Sequence, residues 1–88
     1  MEKYDDIGIW AANETIYNAG TPPEYNYLVI EGDVQITAPN GYYLGHVGMG
    51  ELFGEASFIL GTKRSTTVTA GLDGLKAVSY THLRAHET

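Results

Sequence analysis

The sequence predicts a mainly β domain, an antiparallel roll, sandwich or barrel built from at least six short strands. Its 88 residues suffice for one small domain with a modest core. Eleven glycines and seven tyrosines, with many Val, Ile and Thr residues, favour short strands joined by frequent turns. No segment shows the apolar spacing of a long amphipathic helix over three turns.

The first half of the chain begins with two short apolar runs, Ile7 to Trp10 and Glu14 to Tyr17. The run Gly20-Thr21-Pro22-Pro23 then interrupts the chain, because two prolines remove two backbone donors. Tyr25 to Ile30 is typical of a buried strand. We expect Glu31-Gly32-Asp33 to form a tight connection into the alternating strand Val34-Gln35-Ile36.

Asn40-Gly41 is the strongest local turn signal, and it predicts a hairpin leading into Tyr42 to Val47. Two further strands are predicted, Arg64 to Ala70 and Leu75 to Val78. The exception is Phe53 to Gly61, in which two glycines enclose a compact piece with apolar residues at Phe53, Phe58, Ile59 and Leu60. That piece predicts one helical turn across the open side of the strands, ended by Gly61 in the left-handed conformation.

Composition excludes several classes of function. There is no cysteine, so a disulfide, a thiolate zinc site or a cysteine nucleophile is excluded. The net charge of −6 argues against direct contact with nucleic acid through a basic face. No apolar run approaches the ~20 residues of a membrane span, and the N-terminus is unlike a signal peptide. We therefore expect a soluble, acidic, cytoplasmic module.

The stretch FGEASFILGTKRSTTV combines an anion site with a hydroxyl-binding site. Gly54 allows close approach of a ligand to the backbone, and the amides of Ala56 and Ser57 open a short helix that attracts an anion. The Glu55 carboxylate accepts hydrogen bonds from hydroxyls. Arg64, nine residues later, offers a planar cationic fork that matches phosphate oxygens, with Ser65 and Thr66 beside it. Together these groups describe a sugar-phosphate site.

This stretch resembles the phosphate-binding cassette of cyclic nucleotide-binding domains, as found in kinase regulatory subunits, gated channels and catabolite-activator-type regulators. The residues that carry the resemblance are Phe53, Gly54, Glu55, Gly61, Thr62, Arg64, Thr67, Val68 and Ala70. The upstream run ETIYNAGTPPEYNYLVIEGDVQI is similar to the family's entry strands, so the resemblance covers roughly Trp10 to Val78. The chain departs from the family at two places. Ala56-Ser57 replaces the more common pair of an aliphatic residue followed by alanine, and Lys63 stands where proline is frequent.

The resemblance implies an antiparallel β-roll of the double-stranded β-helix or jelly-roll type, with one short helix in the cassette. It implies a ligand, cyclic AMP or cyclic GMP with cyclic AMP favoured, and no cofactor. The implied binding residues are Phe53, Gly54, Glu55, Ala56, Ser57, Arg64, Ser65 and Thr66. Among them, Glu55 would accept from the ribose 2′-hydroxyl, and Arg64 would pair with the cyclic phosphate. Ser65 occupies the position associated with guanine or adenine preference, and serine there decides for neither.

Two alternatives stay open. Glu55 and Arg64 would simply form a salt bridge in a ligand-free interaction module on a degenerate domain of the same fold. A cupin-like metal-binding enzyme has a similar roll, but it needs clustered His and carboxylate ligands, and His46 is the one histidine outside the C-terminal tail. Our prediction is a non-enzymatic sensing domain without a metal, coupled to an effector domain that the sequence does not identify; its oligomeric state is equally open.

The ending VSYTHLRAHET resembles the in-frame translation of a sequencing-library adapter. We therefore predict a native domain over 1–77 and a non-native tail over 78–88, in which His82 and His86 are not metal ligands. The tail holds one arginine and one glutamate, so the net charge without it is still −6. Family members carry helices after the roll that close over the base. We expect this chain to lack them, and therefore to bind weakly and release its ligand fast.

Overall fold

The computed structural model describes residues 2–4 and 6–80, and in them seven strands and one short helix follow one another along the chain. The elements are β1 (Glu2–Tyr4), β2 (Ile7–Trp10), β3 (Thr15–Tyr17), β4 (Asn26–Thr37), β5 (Tyr43–Val47), β6 (Leu52–Phe53), α1 (Glu55–Leu60) and β7 (Thr67–Tyr80). All strand pairs are antiparallel.

Two long strands, β4 and β7, form the centre of the fold. They pair along their whole lengths, from Asn26 opposite Tyr80 to Thr37 opposite Thr67. Strand β7 also pairs with β2 and β3, and β4 also pairs with β5 and β6, while β1 extends β2. Short strands therefore pair with both members of the long pair. This arrangement is an antiparallel β-roll, so the predicted fold class is confirmed.

Two predicted connections are wrong, because each lies inside a long strand. Glu31-Gly32-Asp33 belongs to β4, and the register with β7 shifts between Val29 and Glu31 and again between Gly32 and Val34. Gly32 has a φ of 83°, and a Cβ there would clash with the carbonyl oxygen of Gly74. The glycine therefore permits a bulge within the strand, where the sequence pattern indicates a turn between two strands.

The two strands predicted after the cassette are likewise one strand. β7 is continuous through Gly74, whose φ is 76°, and it begins at Thr67, so Arg64, Ser65 and Thr66 lie in the connection before it. The predicted start of this strand at Arg64 is therefore wrong. Its backbone pairs with the upstream break, since the Arg64 N–H donates to Thr21 O at 2.8 Å and the Gly20 N–H donates to Arg64 O at 2.7 Å.

The core combines aliphatic and aromatic side chains, most of which come from the two long strands β4 and β7. Val29, Val34 and Val68 are almost completely buried. The Tyr27 and Phe53 rings stack with centroids 4.8 Å apart, and the Trp10 ring packs edge-on against Tyr27 at 6.0 Å. This aromatic cluster ends at Phe53, one residue before the glycine that opens the helix, so the core anchors the entry to the cassette.

The predicted hairpin and helix are confirmed. Asn40-Gly41 connects β4 to β5, and the Gly41 N–H donates to the Ala38 carbonyl at 2.8 Å. Helix α1 begins after Gly54 and ends at Gly61, whose φ of 70° is the expected left-handed value. No helix among the described residues has the length and apolar character needed to cross a membrane.

Residues Val78, Ser79 and Tyr80 complete β7, and residues 81–88 lie outside the described residues. The interpretation of His82 and His86 therefore falls outside them too. The predicted boundary at residue 77 stays a prediction.

Candidate functional site

An open hollow of about 230 Å³ lies where α1 meets the roll. Its apolar side chains come from four different strands, and they are Tyr17, Ile36, Val47, Leu52 and Phe53. Its polar side is formed by the start of the cassette and by the connection before β7, through Gly54, Glu55, Ala56, Ser57, Ser65 and Thr66. Seven of the eight predicted binding residues therefore line one hollow.

The eighth, Arg64, lies behind the wall of this hollow. Its side chain is buried, at 4% exposure, and it is absent from the lining. Nη1 donates to the Gly54 carbonyl and, at 2.8 Å, to the Ser57 hydroxyl oxygen, while Nη2 donates to the Tyr25 carbonyl. Two of these three partners, Gly54 and Ser57, line the hollow, so the guanidinium lies directly against residues of its wall.

Arg64 is a buried cation whose hydrogen-bond partners are all neutral oxygens. No carboxylate in this part of the chain forms an ion pair with it, and its Nε is buried without a hydrogen-bond partner there. Burial of an unpaired charge is costly, and hydrogen bonds to neutral oxygens compensate it only in part. The arrangement therefore leaves positive charge beside the hollow for an anion to neutralise.

Gly54 is required at its position for two reasons. Its φ of 80° is in the left-handed region, and a Cβ there would lie 2.9 Å from Arg64 Nη1 and 3.4 Å from the Tyr17 hydroxyl. A side chain at this residue would meet both strain and a close contact. The glycine therefore lets the chain turn into α1 while the guanidinium packs directly against it.

Glu55 lines the hollow as the first residue of α1. Among the described residues its carboxylate forms neither a hydrogen bond nor an ion pair, with Arg64 or with any other side chain. The structure thus lacks the Glu55–Arg64 salt bridge that would give these two residues a purely structural role. A carboxylate in this state accepts hydrogen bonds only, and it suits a ligand that offers hydroxyl groups.

Tyr17 is a member of the site that the sequence analysis missed. The Arg64 guanidinium carbon lies 4.0 Å from the centroid of its ring, which is a cation–π contact. Burial raises the pKa of Tyr17, while the nearby Arg64 charge and a hydrogen bond with the Thr66 side chain act in the opposite direction. Nothing near Tyr17 in the sequence marks it, because it lies far upstream of the cassette and reaches Arg64 only through the pairing of β3 with β7.

Ser65 and Thr66 line the hollow with different surroundings. Ser65 is exposed, whereas Thr66 is half-buried and its side chain acts to lower the pKa of Tyr17. On the helix, the Ser57 carbonyl accepts from the Gly61 and Thr62 N–H groups. Ser57 is therefore hydrogen-bonded through its backbone as well as through its hydroxyl, which accepts from Arg64. The rim thus offers three hydroxyl groups beside the Glu55 carboxylate.

Metal ligands are not grouped in the described part of the chain: no three His, Cys, Asp or Glu side chains there are arranged to hold an ion. His46 lies in β5, with its Nδ1 3.2 Å from the Tyr43 hydroxyl. It does not line the hollow.

The chain is similar to a known protein family and to single relatives. The family described as Cyclic nucleotide-binding domain matches residues 9–77. A cyclic nucleotide-gated potassium channel of Mesorhizobium japonicum is 39% identical over 59 residues, 67% of this chain and 16% of the channel. An uncharacterized NTE family protein of Mycobacterium tuberculosis is 33% identical over 64 residues, 73% of this chain. This chain spans 11% of the length of that relative.

Solved structures with the same fold include an EAL enzyme in its cyclic GMP-bound and cyclic AMP-bound forms. It is 26% identical to this chain with a TM-score of 0.79, and the match covers 85% of this chain and 21% of the enzyme chain. The catabolite activator protein of Thermus thermophilus is also 26% identical, with a TM-score of 0.76 over 85% of this chain and 37% of its own.

Proposed function

This chain belongs to the cyclic nucleotide-binding domain family, and from that premise we propose that its hollow binds a cyclic purine nucleotide, cyclic AMP or cyclic GMP. The observation that carries the proposal is the buried Arg64 guanidinium, which has no paired carboxylate among the described residues and lies behind the wall of the hollow. An anionic ligand in the hollow would supply the missing counter-charge. The single negative charge of a cyclic phosphate matches the single positive charge of Arg64.

The rest of the lining suits the rest of such a ligand. Glu55 has no partner among the described residues and is positioned to accept from the ribose 2′-hydroxyl. The apolar side, which includes Ile36, Val47 and Leu52, offers surface for a purine ring. The net charge of −6 does not oppose an anion, since exposed carboxylates more than about 8 Å away are largely screened.

We propose further that this domain is a non-enzymatic sensor in a larger cytoplasmic protein, with the cyclic nucleotide-binding unit ending near residue 77. The family match ends at that residue, and both curated relatives are many times longer than this chain. Binding in such a protein regulates an effector domain only to the extent that the ligand prefers one of two conformations, typically by about 1–3 kcal/mol.

A ligand-free interaction module is the second candidate function, and one observation favours it. Three guanidinium donor bonds of Arg64 are already made to oxygens of the protein itself, at Gly54, Ser57 and Tyr25. An arginine held in this way contributes to the structure without any ligand. The two candidates differ in whether the hollow binds a nucleotide.

A thermal-shift screen followed by calorimetry separates them. A ligand at 100 times its dissociation constant adds about 2.7 kcal/mol, which raises the Tm of a domain of this size by roughly 10 °C or more. We expect that rise with cyclic AMP, cyclic GMP or both, and a much smaller one with linear 5′-AMP. No shift with either cyclic nucleotide would reject the proposal in favour of the interaction module.

The Glu55 role is tested with a matched ligand pair. Glu55→Gln should weaken cyclic AMP binding about tenfold or more, because a charged acceptor is replaced by a neutral amide. It should leave binding of 2′-deoxy-cyclic AMP almost unchanged, because that ligand lacks the hydroxyl. Equal losses for both ligands would remove Glu55 from the ribose site.

A further inference from the structure

We propose that a second groove, separate from the hollow, is an interaction surface that receives an arginine side chain of a partner polypeptide. The groove has a volume of about 230 Å³ and lies where β2, β7 and β4 run side by side. Its lining residues are Ile9, Trp10, Glu31, Asp73, Leu75 and Lys76. None of them lines the hollow, so this surface is distinct from the proposed nucleotide site.

The apolar part of the groove lies on a closely packed frame. Trp10 and Leu75 are opposite each other in the pairing of β2 with β7, and both are buried. A Cβ at Gly74 would lie 2.8 Å from the Trp10 carbonyl oxygen, and a Cβ at Gly32 would clash with the Gly74 carbonyl oxygen. Three strands therefore approach one another backbone to backbone beside the groove. A groove formed in this way is preorganised, so that binding has little of the protein to order.

Three charged side chains line the same groove, and they are not paired with one another. Glu31 and Asp73 are exposed, and Lys76 is half-buried. In the described part of the chain no ion pair joins Lys76 to either carboxylate. Lys76 is opposite Glu31 in the register of β4 with β7, so these two charges offset each other, and Asp73 adds a negative charge. With two carboxylates against one ammonium, the groove favours a cation over an anion.

Both carboxylates come from irregular parts of the two long strands. Glu31 lies between the two register shifts of β4 against β7, and Asp73 precedes Gly74, whose φ is 76°. Irregular strand segments depart from the strict alternation of side chains between the two faces of a sheet. Acidic and apolar side chains can therefore line one groove here.

Arginine is the cation that fits both parts of this lining. Its long apolar stem can pack on Ile9 and Trp10, and its planar fork can form two parallel hydrogen bonds with the Asp73 carboxylate. A lysine offers a point charge in place of the fork. A metal ion is a poorer occupant, because among the described residues no third His, Cys, Asp or Glu side chain is grouped with these two carboxylates to hold it.

The test is a titration of the protein with N-acetyl-arginine amide at constant ionic strength. Trp10 is the single tryptophan of the chain and lines the groove, so its indole N–H resonance in an NMR spectrum reports on this site. N-acetyl-citrulline amide is the matched ligand, because an uncharged urea replaces the guanidinium while the stem is kept. N-acetyl-lysine amide separates the planar fork from charge alone.

We expect a saturable shift with the arginine amide and a Kd of about 1 mM, which is ordinary for a ligand of this size. The citrulline amide should give no saturation, and the lysine amide should bind more weakly than the arginine amide.

The variants use exposed carboxylates, which can be neutralised without disturbing the core. Asp73→Asn should raise the Kd about two- to fivefold, which is the range of an exposed ion pair. Lys76→Met keeps the stem but removes a like charge, so it should lower the Kd about twofold. Glu24→Gln is the matched control, because Glu24 is an exposed carboxylate that lines neither the groove nor the hollow, and its Kd should equal that of the wild type.

Four outcomes overturn the arginine surface. They are no saturable shift at up to about 20 times the expected Kd, equal binding of the citrulline amide, equal binding of the lysine amide, and equal losses in Asp73→Asn and Glu24→Gln. The last would mean that the net charge of the chain attracts the ligand and the groove does not. A protein that binds the arginine amide but no cyclic nucleotide rejects the proposed function and leaves this surface standing, and the reverse result rejects this surface alone.

Discussion

The guanidinium carbon of Arg64 lies 4.0 Å from the centroid of the Tyr17 ring, so a buried cation rests on the face of an aromatic side chain. The same ring packs toward Tyr27 and Phe53, with centroids 6.3 Å away in each case. Tyr17 thus connects the aromatic core to the arginine that we assign to the ligand site.

Replacing Tyr17 with leucine should weaken both the fold and the site. A cation–π contact with a desolvated cation is worth about 2 kcal/mol, and leucine removes it, whereas phenylalanine retains the ring. We expect Tyr17→Leu to lose about 1–2 kcal/mol of unfolding free energy and to bind cyclic nucleotide more weakly. Urea unfolding and calorimetry measure the two effects. If Tyr17→Phe loses as much as Tyr17→Leu, the loss comes from the tyrosine hydroxyl, and the contact between the ring and Arg64 contributes nothing.

Replacing Arg64 with leucine should abolish most of the binding energy for the phosphate. Removing one partner of a desolvated charge pair costs about 2–5 kcal/mol, and calorimetry with cyclic AMP and cyclic GMP measures it. Lys63→Leu is the matched control, because Lys63 is the neighbouring cation but is exposed. Its effect should be small and should decrease with added salt. Equal affinities of wild type and Arg64→Leu would contradict the site assignment.

Replacing Gly54 with alanine should disturb ligand binding beyond its effect on backbone strain. Alanine in the left-handed region costs about 1–2 kcal/mol of stability, and the new Cβ would also approach Arg64 Nη1 to 2.9 Å. Gly41→Ala isolates the strain, because Gly41 has a φ of 93° and nothing lies within 4 Å of a Cβ there.

We expect both glycine variants to lose unfolding free energy, Gly54→Ala more than Gly41→Ala because of the close contact with Arg64, and Gly54→Ala alone to lose nucleotide affinity. Denaturant unfolding and calorimetry on the pair give the comparison. A Gly54→Ala protein with wild-type affinity would mean that the guanidinium position is unimportant for binding.

Alkaline pH should destabilise the protein through Tyr27. Burial, the largest cause, raises the pKa of Tyr27 to about 12, although the Arg64 charge acts to lower it. Below about pH 10 the tyrosine is protonated in both folded and unfolded chains, so its contribution is fully present. Between about pH 10 and 12 the unfolded chain releases the proton and the folded chain retains it, so stability falls as pH rises, by up to about 2–3 kcal/mol.

The measurement is urea unfolding between pH 8 and 11.5 for wild type and Tyr27→Phe. The variant should lose less stability than the wild type over the alkaline part of this range. Tyr42→Phe is the control, because the Tyr42 ring is 72% exposed and its loss should leave the wild-type dependence in place. Parallel pH profiles for wild type and Tyr27→Phe would contradict the assignment.

The sequence predicted best what depends on neighbouring residues. The hairpin at Asn40-Gly41 and the helical turn ended by Gly61 follow from the backbone freedom of particular residues, and both are present. The same reasoning misjudged Gly32, and it divided in two the strand that continues through Gly74. A glycine with positive φ serves a turn or a bulge equally well, and the choice between them depends on the partner strand.

By itself, the sequence determined the strand-rich character of this domain and the composition of the cassette from Phe53 to Ser57, because these depend on local propensity and on the types of residue in one short stretch. Only the tertiary structure decided that Tyr17 lies beneath Arg64, and that the buried guanidinium donates to Gly54 and Ser57, which line the hollow. Those relationships join residues far apart in the chain. They depend on the register of β3 against β7 and on the burial of one cation, neither of which is encoded in any single segment.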